Sequence, residues 1–153
     1  MVASIKIACT FVPVRKFNLL LPNSAIAEVI VSQSLEKKIN SPQWLLGTTQ
    51  WQNEEIDIIG FDKIDSSDDS PENLKSIIII VRNPSITGAM RHFGIMTKNR
   101  PHIVEANSHT LDKNLHPRAS HSHAKSYVVI NGKEALIPNI ELLAKTIEEN
   151  SPH

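Results

Sequence analysis

Four histidines share one polar stretch, and their side chains and spacing make them the residues of this sequence best suited to chemistry. They are His109, His116, His121 and His123. The run His121-Ser122-His123 could turn two imidazoles toward one metal ion. A zinc site needs three or four ligands with ordered outer partners, but no cysteine lies nearby, and the acids in reach are Glu105 and Asp112. We therefore predict no metal ligand and no cofactor. The alternative is a metal-dependent enzyme or metal-binding protein that uses the 109–123 loop.

Cys9 is the one cysteine, so it cannot form an internal disulfide. It alternates with Ile5, Ile7 and Phe11 on the apolar face of a predicted strand, where a thiol should be buried and inert. The chain has no Gly-x-Ser-x-Gly motif, no phosphate-binding loop and no dinucleotide-binding glycine motif. We predict that the protein is not an enzyme.

The charge balance argues against a nucleic-acid binder. The chain has 16 Lys and Arg, 16 Asp and Glu, and 5% aromatic residues, whereas a single-strand-binding barrel needs a positive groove with stacking aromatics. The N-terminal residues lack the apolar run of a signal peptide. The most apolar stretch, residues 77–81, is too short to cross a bilayer. We expect a cytoplasmic protein with no direct membrane insertion.

Short apolar runs bounded by turn residues predict β structure through most of the chain. The predicted strands are 5–11, 17–21, 25–31, 44–51, 56–61, 77–81, 86–96, 103–106, 127–130 and 134–137. Asn131-Gly132 predicts a tight hairpin turn. Asn139 predicts the cap of a final helix with Ile140, Leu143, Ala144 and Ile147 on one face. Two polar stretches, 65–73 and 107–125, predict exposed loops.

The order of several short motifs resembles the CheW-like chemotaxis adaptor family. Leu20-Leu21-Pro22 followed by Ile26-Ala27-Glu28-Val29 is similar to the family's second-to-third strand segment. Ser41-Pro42-Gln43-Trp44-Leu45-Leu46-Gly47 resembles its Pro-x-Trp-Leu-x-Gly stretch, and 56–61 takes the place of the next strand. Gly94-Ile95-Met96 resembles the strand that faces the chemoreceptor, and 127–143 the closing hairpin and turn. The resemblance covers nearly the whole chain.

This resemblance implies an all-β fold of two small SH3-like β-barrels with a short C-terminal helix. We expect one CheW-like domain over 1–153. Its approximate subdomains would be 12–73 and 74–137, with 1–11 and the 138–150 helix packed against them. The implied function is a non-enzymatic adaptor that links a chemoreceptor cytoplasmic tip to the regulatory domain of a chemotaxis histidine kinase. The Trp-Leu-Leu-Gly and Leu-Leu-Pro forms are most similar to adaptors of type IV pilus (twitching motility) systems.

The resemblance also implies a set of partner-binding residues. They are Glu28, Val29, Trp44, Leu46, Gln52, Gly94 and Ile95. The family usually carries Arg-Gly where this chain has Gln52-Asn53, and Asp57 stands where proline is common. Glutamine cannot supply the charge or the bidentate fork of arginine. The resemblance therefore leaves open an alternative in which the protein contacts its receptor and kinase partners differently from typical members. Both tryptophans, Trp44 and Trp51, are also suited to packing the core.

Overall fold

The computed structural model describes residues 6–14, 17–31, 34–65, 77–85, 90–97, 99–107, 110–118 and 120–151. Eleven strands and one α-helix lie in these ranges. The strands are β1 (Ile7–Pro13), β2 (Asn18–Pro22), β3 (Ile26–Val31), β4 (Leu45–Trp51), β5 (Glu54–Ile59), β6 (Ile77–Arg82), β7 (His92–Thr97), β8 (His102–Ala106), β9 (Leu111–Lys113), β10 (Ala124–Ile130) and β11 (Lys133–Pro138). The helix α1 is Ile140–Asn150. The predicted all-β class with one C-terminal helix is confirmed.

The strands form two sheets. A six-stranded sheet in the order β8-β1-β2-β11-β10-β9 forms the unit that we call the terminal barrel, and a five-stranded sheet in the order β3-β6-β7-β5-β4 forms the central barrel. Most pairings are antiparallel, with parallel contacts between β11 and β2 and between β5 and β7.

The sheets do not follow the expected boundary at residue 74. β6, which comes after that boundary, pairs with β3, which comes before it, through the register Val29 to Ile79. The terminal barrel in turn joins β1 and β2 to strands that follow the central barrel in sequence. Sheet membership therefore divides the described chain into one central segment and two flanking segments.

A backbone bridge closes the central barrel beside β4. Glu36, in the segment after β3, exchanges two hydrogen bonds of 2.9 Å with Thr48 of β4. Gly47 makes this approach possible, because its φ is +144° and an added Cβ would lie 2.9 Å from the Glu36 carbonyl oxygen. Only glycine adopts such a backbone without strain.

Three apolar clusters account for the packing. The core of the terminal barrel contains Cys9, Phe11, Leu20, Ala106, Val128, Ile130 and Ala135. The core of the central barrel contains Ile56, Ile58, Ile78, Ile80 and Met96. The largest cluster, which we call the inter-barrel core, lies between the two sheets and includes Val12, Leu19, Leu21, Ile79, Val81, Phe93 and Ile95. Several strands therefore bury both of their faces.

The helix α1 completes the inter-barrel core. Asn139 caps it as predicted, since its side-chain oxygen accepts a hydrogen bond from the Leu142 backbone N–H at 3.1 Å. Leu143, Ala144 and Ile147 are buried on the predicted face. The buried Thr97 of β7 also donates its hydroxyl to the Pro13 carbonyl of β1, which is a polar contact between the barrels.

The predicted hairpin is confirmed, with φ of 50° at Asn131 and 78° at Gly132. The predicted 107–125 loop is partly wrong, because it contains β9, which pairs with β10 at Val129 and Asp112. A three-residue strand with one partner leaves too short an apolar pattern to detect. Residues 66–73 of the other predicted loop, and 86–89 of the seventh predicted strand, lie outside the described residues.

Candidate partner-binding site

The inter-barrel core opens to the surface along one side of the molecule. Val29 and Val31 of β3 pair with Ile79 and Ile77 of β6, so their side chains lie on the sheet face that looks toward the terminal barrel. Ile103 of β8 stands on the opposite wall. These three side chains are 45%, 72% and 73% exposed, respectively. These side chains continue the apolar surface of the inter-barrel core outward to where it meets solvent.

A groove of about 440 Å³ lies between these walls, and we call it the inter-barrel groove. The described residues that line it are Thr10, Val29, Ile30, Val31, Ile77, Arg100, Pro101, His102 and Ile103. Single exposed apolar side chains are common on any protein, whereas a contiguous apolar patch marks an interaction site. The groove has the composition and shape of a docking surface for another polypeptide.

A second polar and aromatic group lies at one end of the central barrel, and we call it the barrel mouth. Trp51 of β4 donates its indole N–H to the exposed carboxylate of Glu28 on β3, which joins the two outer strands of this sheet. The Trp51 ring packs 4.9 Å from the His92 ring. The Nδ1 atom of His92 is buried and lies 3.4 Å from a Glu54 carboxylate oxygen, without hydrogen-bond geometry. The mouth presents carboxylates around a partly buried tryptophan.

Gln52 and Asn53 form the two-residue turn between β4 and β5. Their φ angles are 48° and 63°, and Trp51 pairs with Glu54 across the turn. Two positive φ angles in a two-residue loop define the type I′ hairpin. Both side chains are exposed, which places Gln52 next to the barrel mouth.

Trp44 and Leu46 support the fold from the start of β4. Trp44 is half-buried against the inter-barrel core, and its carbonyl accepts the Gly60 N–H at 2.8 Å. Leu46 packs against the core of the central barrel. Their positions match the packing role that tryptophan has in many cores, and neither residue lines the inter-barrel groove.

Gly94 and Ile95 are buried, and the structure does not place either residue on a surface that a partner could reach. Ile95 has no exposed area and belongs to the inter-barrel core. An added Cβ on Gly94 would lie 2.7 Å from Ile78 Cγ2 and nearer still to Ile58 Cδ1. The Gly94-Ile95-Met96 motif lies in β7, a strand between β6 and β5. Such a strand buries both of its faces, because one face lies in each core.

The His121 imidazole has both nitrogens occupied within the protein. Its Nε2 donates to the Phe61 carbonyl at 2.8 Å, and its Nδ1 accepts the His123 backbone N–H at 3.0 Å. The ring is stacked on Phe61 at 4.0 Å, and its side chain has no exposed area. Neither nitrogen is available for a metal ion.

His123 is also held by side-chain hydrogen bonds. Its Nε2 donates to the Thr146 hydroxyl of α1 at 2.8 Å, because that hydroxyl already donates to the Leu142 carbonyl. Its Nδ1 lies 2.7 Å from the Ser122 hydroxyl. Burial lowers the pKa of His123, His121 lowers it further, and Asp65 opposes both effects. The loop that contains His121 and His123 therefore connects the segment after β5 with the helix α1.

Asp65 anchors the same loop. Its carboxylate accepts the Ser122 backbone N–H at 2.6 Å and the Ser122 hydroxyl at 2.7 Å. Burial raises the pKa of Asp65, but these hydrogen bonds and the nearby histidines outweigh burial, so the pKa lies below its ordinary value. Among the described residues no three potential ligands meet as a metal site would require, and His109 lies outside them. The contacts of His121 and His123 instead fit a structural role.

Cys9 is buried, as predicted from its strand face, and burial raises the pKa of its thiol. A raised pKa reduces the thiolate fraction, and the thiolate is the reactive form. The structure therefore agrees with an inert cysteine.

Most of the groove lies outside the residues that the sequence predicted as contacts. Val31, Ile77, Arg100 and Ile103 line it but were not among the predicted contacts. Val31 follows Val29 by two residues, so strand alternation could have added it. Ile103 comes from the other sheet and Arg100 from the segment just before β8, and no local signal places them opposite β3.

The sequence matches the family model described as a CheW-like domain over residues 9–148. The structure is similar to the crystal structure of the scaffolding protein TtCheW from Thermoanaerobacter tengcongensis, with a TM-score of 0.74 and 14% sequence identity. The match covers 91% of this chain and 92% of that one. No curated protein sequence matches the chain. No helix in the described ranges is long and apolar enough to cross a membrane.

Proposed function

Because the chain belongs to the CheW-like domain family, whose members are scaffolds and not enzymes, we propose that it links a chemoreceptor to a chemotaxis histidine kinase. The partner regions in this proposal are the cytoplasmic tip of the receptor and the regulatory domain of the kinase. The protein acts by holding these partners together, and the kinase carries the chemistry.

The inter-barrel groove is the observation that supports the receptor contact. An amphipathic helix docks by laying its apolar face into a groove of matching width and character. Val29, Val31 and Ile103 provide exposed apolar surface on both walls. Burying that surface against a helix would supply the main favourable free energy of binding.

The barrel mouth is the surface that we assign to the kinase. Glu28 and Gln52 are exposed there beside Trp51, and the mouth does not overlap the groove lining. Gln52 lacks the charge and the bidentate fork of arginine. Contact at the mouth would therefore depend on the Glu28 carboxylate, which the Trp51 indole N–H orients.

A pull-down with purified receptor tip and kinase regulatory domain tests the proposal. We expect the natural protein to capture both partners. Ile103→Asp should weaken receptor binding about tenfold or more, because it places a charge in the apolar contact, and should leave kinase binding unchanged. Leu115→Asp is the matched control, since Leu115 is 71% exposed but lies outside the groove. Failure of the natural protein to capture either partner would show that the coupling role is wrong.

The assignment to a type IV pilus system stays a prediction from the motif forms. Neither the family model nor the structural match distinguishes that subtype. A cytoplasmic location is likewise part of the proposal, since both partner regions are cytoplasmic.

A further inference from the structure

We propose that the inter-barrel groove selects a partner helix with a carboxylate beside its apolar face, and that Arg100 recognises this carboxylate. The inference rests on the proposed function and specifies the chemistry of the receptor segment. It assigns a specificity-determining role to a residue outside the predicted contacts.

The floor of the groove is formed by sheet faces. Thr10 belongs to β1, one strand in from the outer strand β8, and Ile77 belongs to β6, one strand in from the outer strand β3. An occupant therefore meets side chains from two strands on each wall. Strand addition would instead require the free backbone groups of a single sheet edge. A helix, which binds through side chains, is the occupant that fits.

The described residues that line the groove include a positive charge and no negative charge. Among these nine described residues, Arg100 is the one with a permanent charge, and none of the nine is acidic. Arg100 is exposed and forms no ion pair or hydrogen bond with any residue in the described ranges. The other titratable lining residue, His102, stacks its ring on Phe11 at 5.0 Å. Within the described part of the chain, Arg100 is thus a cation without a partner at the rim of an apolar surface.

A guanidinium in this position favours one partner charge over the other. Its planar fork matches a carboxylate, and a lysine or arginine at the same point of the partner would be repelled. Because apolar side chains line most of the rest of the groove, binding would remove water from around the pair and strengthen the discrimination. The partner helix therefore needs an apolar stripe flanked by Asp or Glu.

The test uses the full chain and the receptor-tip fragment from the same genome, with affinity measured by fluorescence anisotropy. We expect Arg100→Gln to weaken binding about fivefold and to reduce its salt dependence. Arg100→Glu should weaken binding further. Replacing one acidic residue of the receptor fragment by lysine should restore the affinity of Arg100→Glu and of no other variant. Arg118→Gln is the matched control, because Arg118 is 92% exposed and lies outside the groove.

The outcomes separate this inference from the proposed function. If Ile103→Asp abolishes binding while Arg100→Gln and Arg100→Glu bind normally, the groove is the receptor site but the carboxylate recognition is wrong. If neither position affects binding, the groove is not the receptor site and this inference fails while the coupling role stands. If the natural protein does not bind the fragment at all, the proposed receptor contact fails as well. A concentration-dependent dimer that Ile103→Asp dissociates would make a second copy of this chain the occupant and would overturn the inference.

Discussion

His123 shows how a buried polar residue joins separate elements. Its ring is hydrogen-bonded to Thr146 of α1 and lies within hydrogen-bonding distance of Ser122, which is bound to Asp65. A hydrogen-bonded residue in this position adds stability only while its protonation state suits those contacts. The histidines of this loop suggested metal chemistry in the sequence, and the structure shows that they connect three segments of the chain.

The lowered pKa of His123 predicts an acid-dependent loss of stability. Because burial holds the folded-state pKa below the unfolded value, the folded protein takes up this proton less readily than the unfolded chain. The stabilisation is present above the unfolded pKa of about 6.5 and is lost as the pH falls through the folded-state pKa. The free energy of unfolding, measured by urea titration from pH 8 to pH 5, should therefore decrease.

Two variants identify His123 as the source of that decrease. In His123→Gln the decrease should be smaller than in the natural protein. His116→Gln is the matched control, since His116 is exposed, and it should retain the full decrease. Equal pH dependence in all three proteins would show that His123 does not contribute.

At the scale of single elements, β7 is constrained by neighbours on both of its faces and both of its edges. Gly94 faces the core of the central barrel, and Ile95 faces the inter-barrel core. The strand lies between β6 and β5, so both of its edges are paired as well. This explains why a Gly-apolar-apolar pattern here reflects packing.

Gly94→Ala should destabilise the protein by about 1–3 kcal/mol, because the new methyl group would overlap Ile58 and Ile78. Urea unfolding measures the change. Gly60→Ala is the matched control, since its Cβ would meet the flexible end of Lys63 at 3.3 Å and its φ of −100° suits any residue. We expect a change within about 0.5 kcal/mol for that variant. A similar cost for both would refute the packing argument.

At the scale of the whole molecule, strand pairing crosses the approximate boundary at residues 73 and 74 that the family resemblance implied. A fragment of residues 1–73 would contain β3 without β6, its partner strand in the sheet. A fragment of residues 74–153 would contain β8 and β11 without β1 and β2. We expect each fragment alone to be unfolded by far-UV circular dichroism.

The matched control for this experiment is the folded intact chain cleaved between residues 73 and 74, which should keep its β spectrum while both pieces remain together. Cooperative unfolding of the 1–73 fragment alone would show that it is an independent unit, as the sequential boundary implied.

The sequence predicted features that depend on local patterns. The Asn131-Gly132 turn and the Asn139 cap are set by residues within a few positions of each other, and both are confirmed. The inter-barrel groove could not be predicted in this way, because it depends on contacts between residues that are distant in sequence. Ile103 lies opposite Val31 because two sheets pack together, and Ile95 is buried because a second core covers its outer face. Neither arrangement leaves a periodic signal in one strand.

The pairing of β1 with β8 has a consequence for folding during synthesis. Phe11 pairs with His102, so the ribosome must complete the whole central barrel before the first strand meets this partner. Long-range pairing slows folding, because a large loop must close before the contacts that stabilise it can form. β1 can pair with β2 at once, but its other edge would remain free meanwhile, with the apolar side chains of Cys9 and Phe11 open to other chains. The nascent protein is therefore most prone to aggregate before β8 emerges, a period in which a chaperone that covers its first strand would protect it.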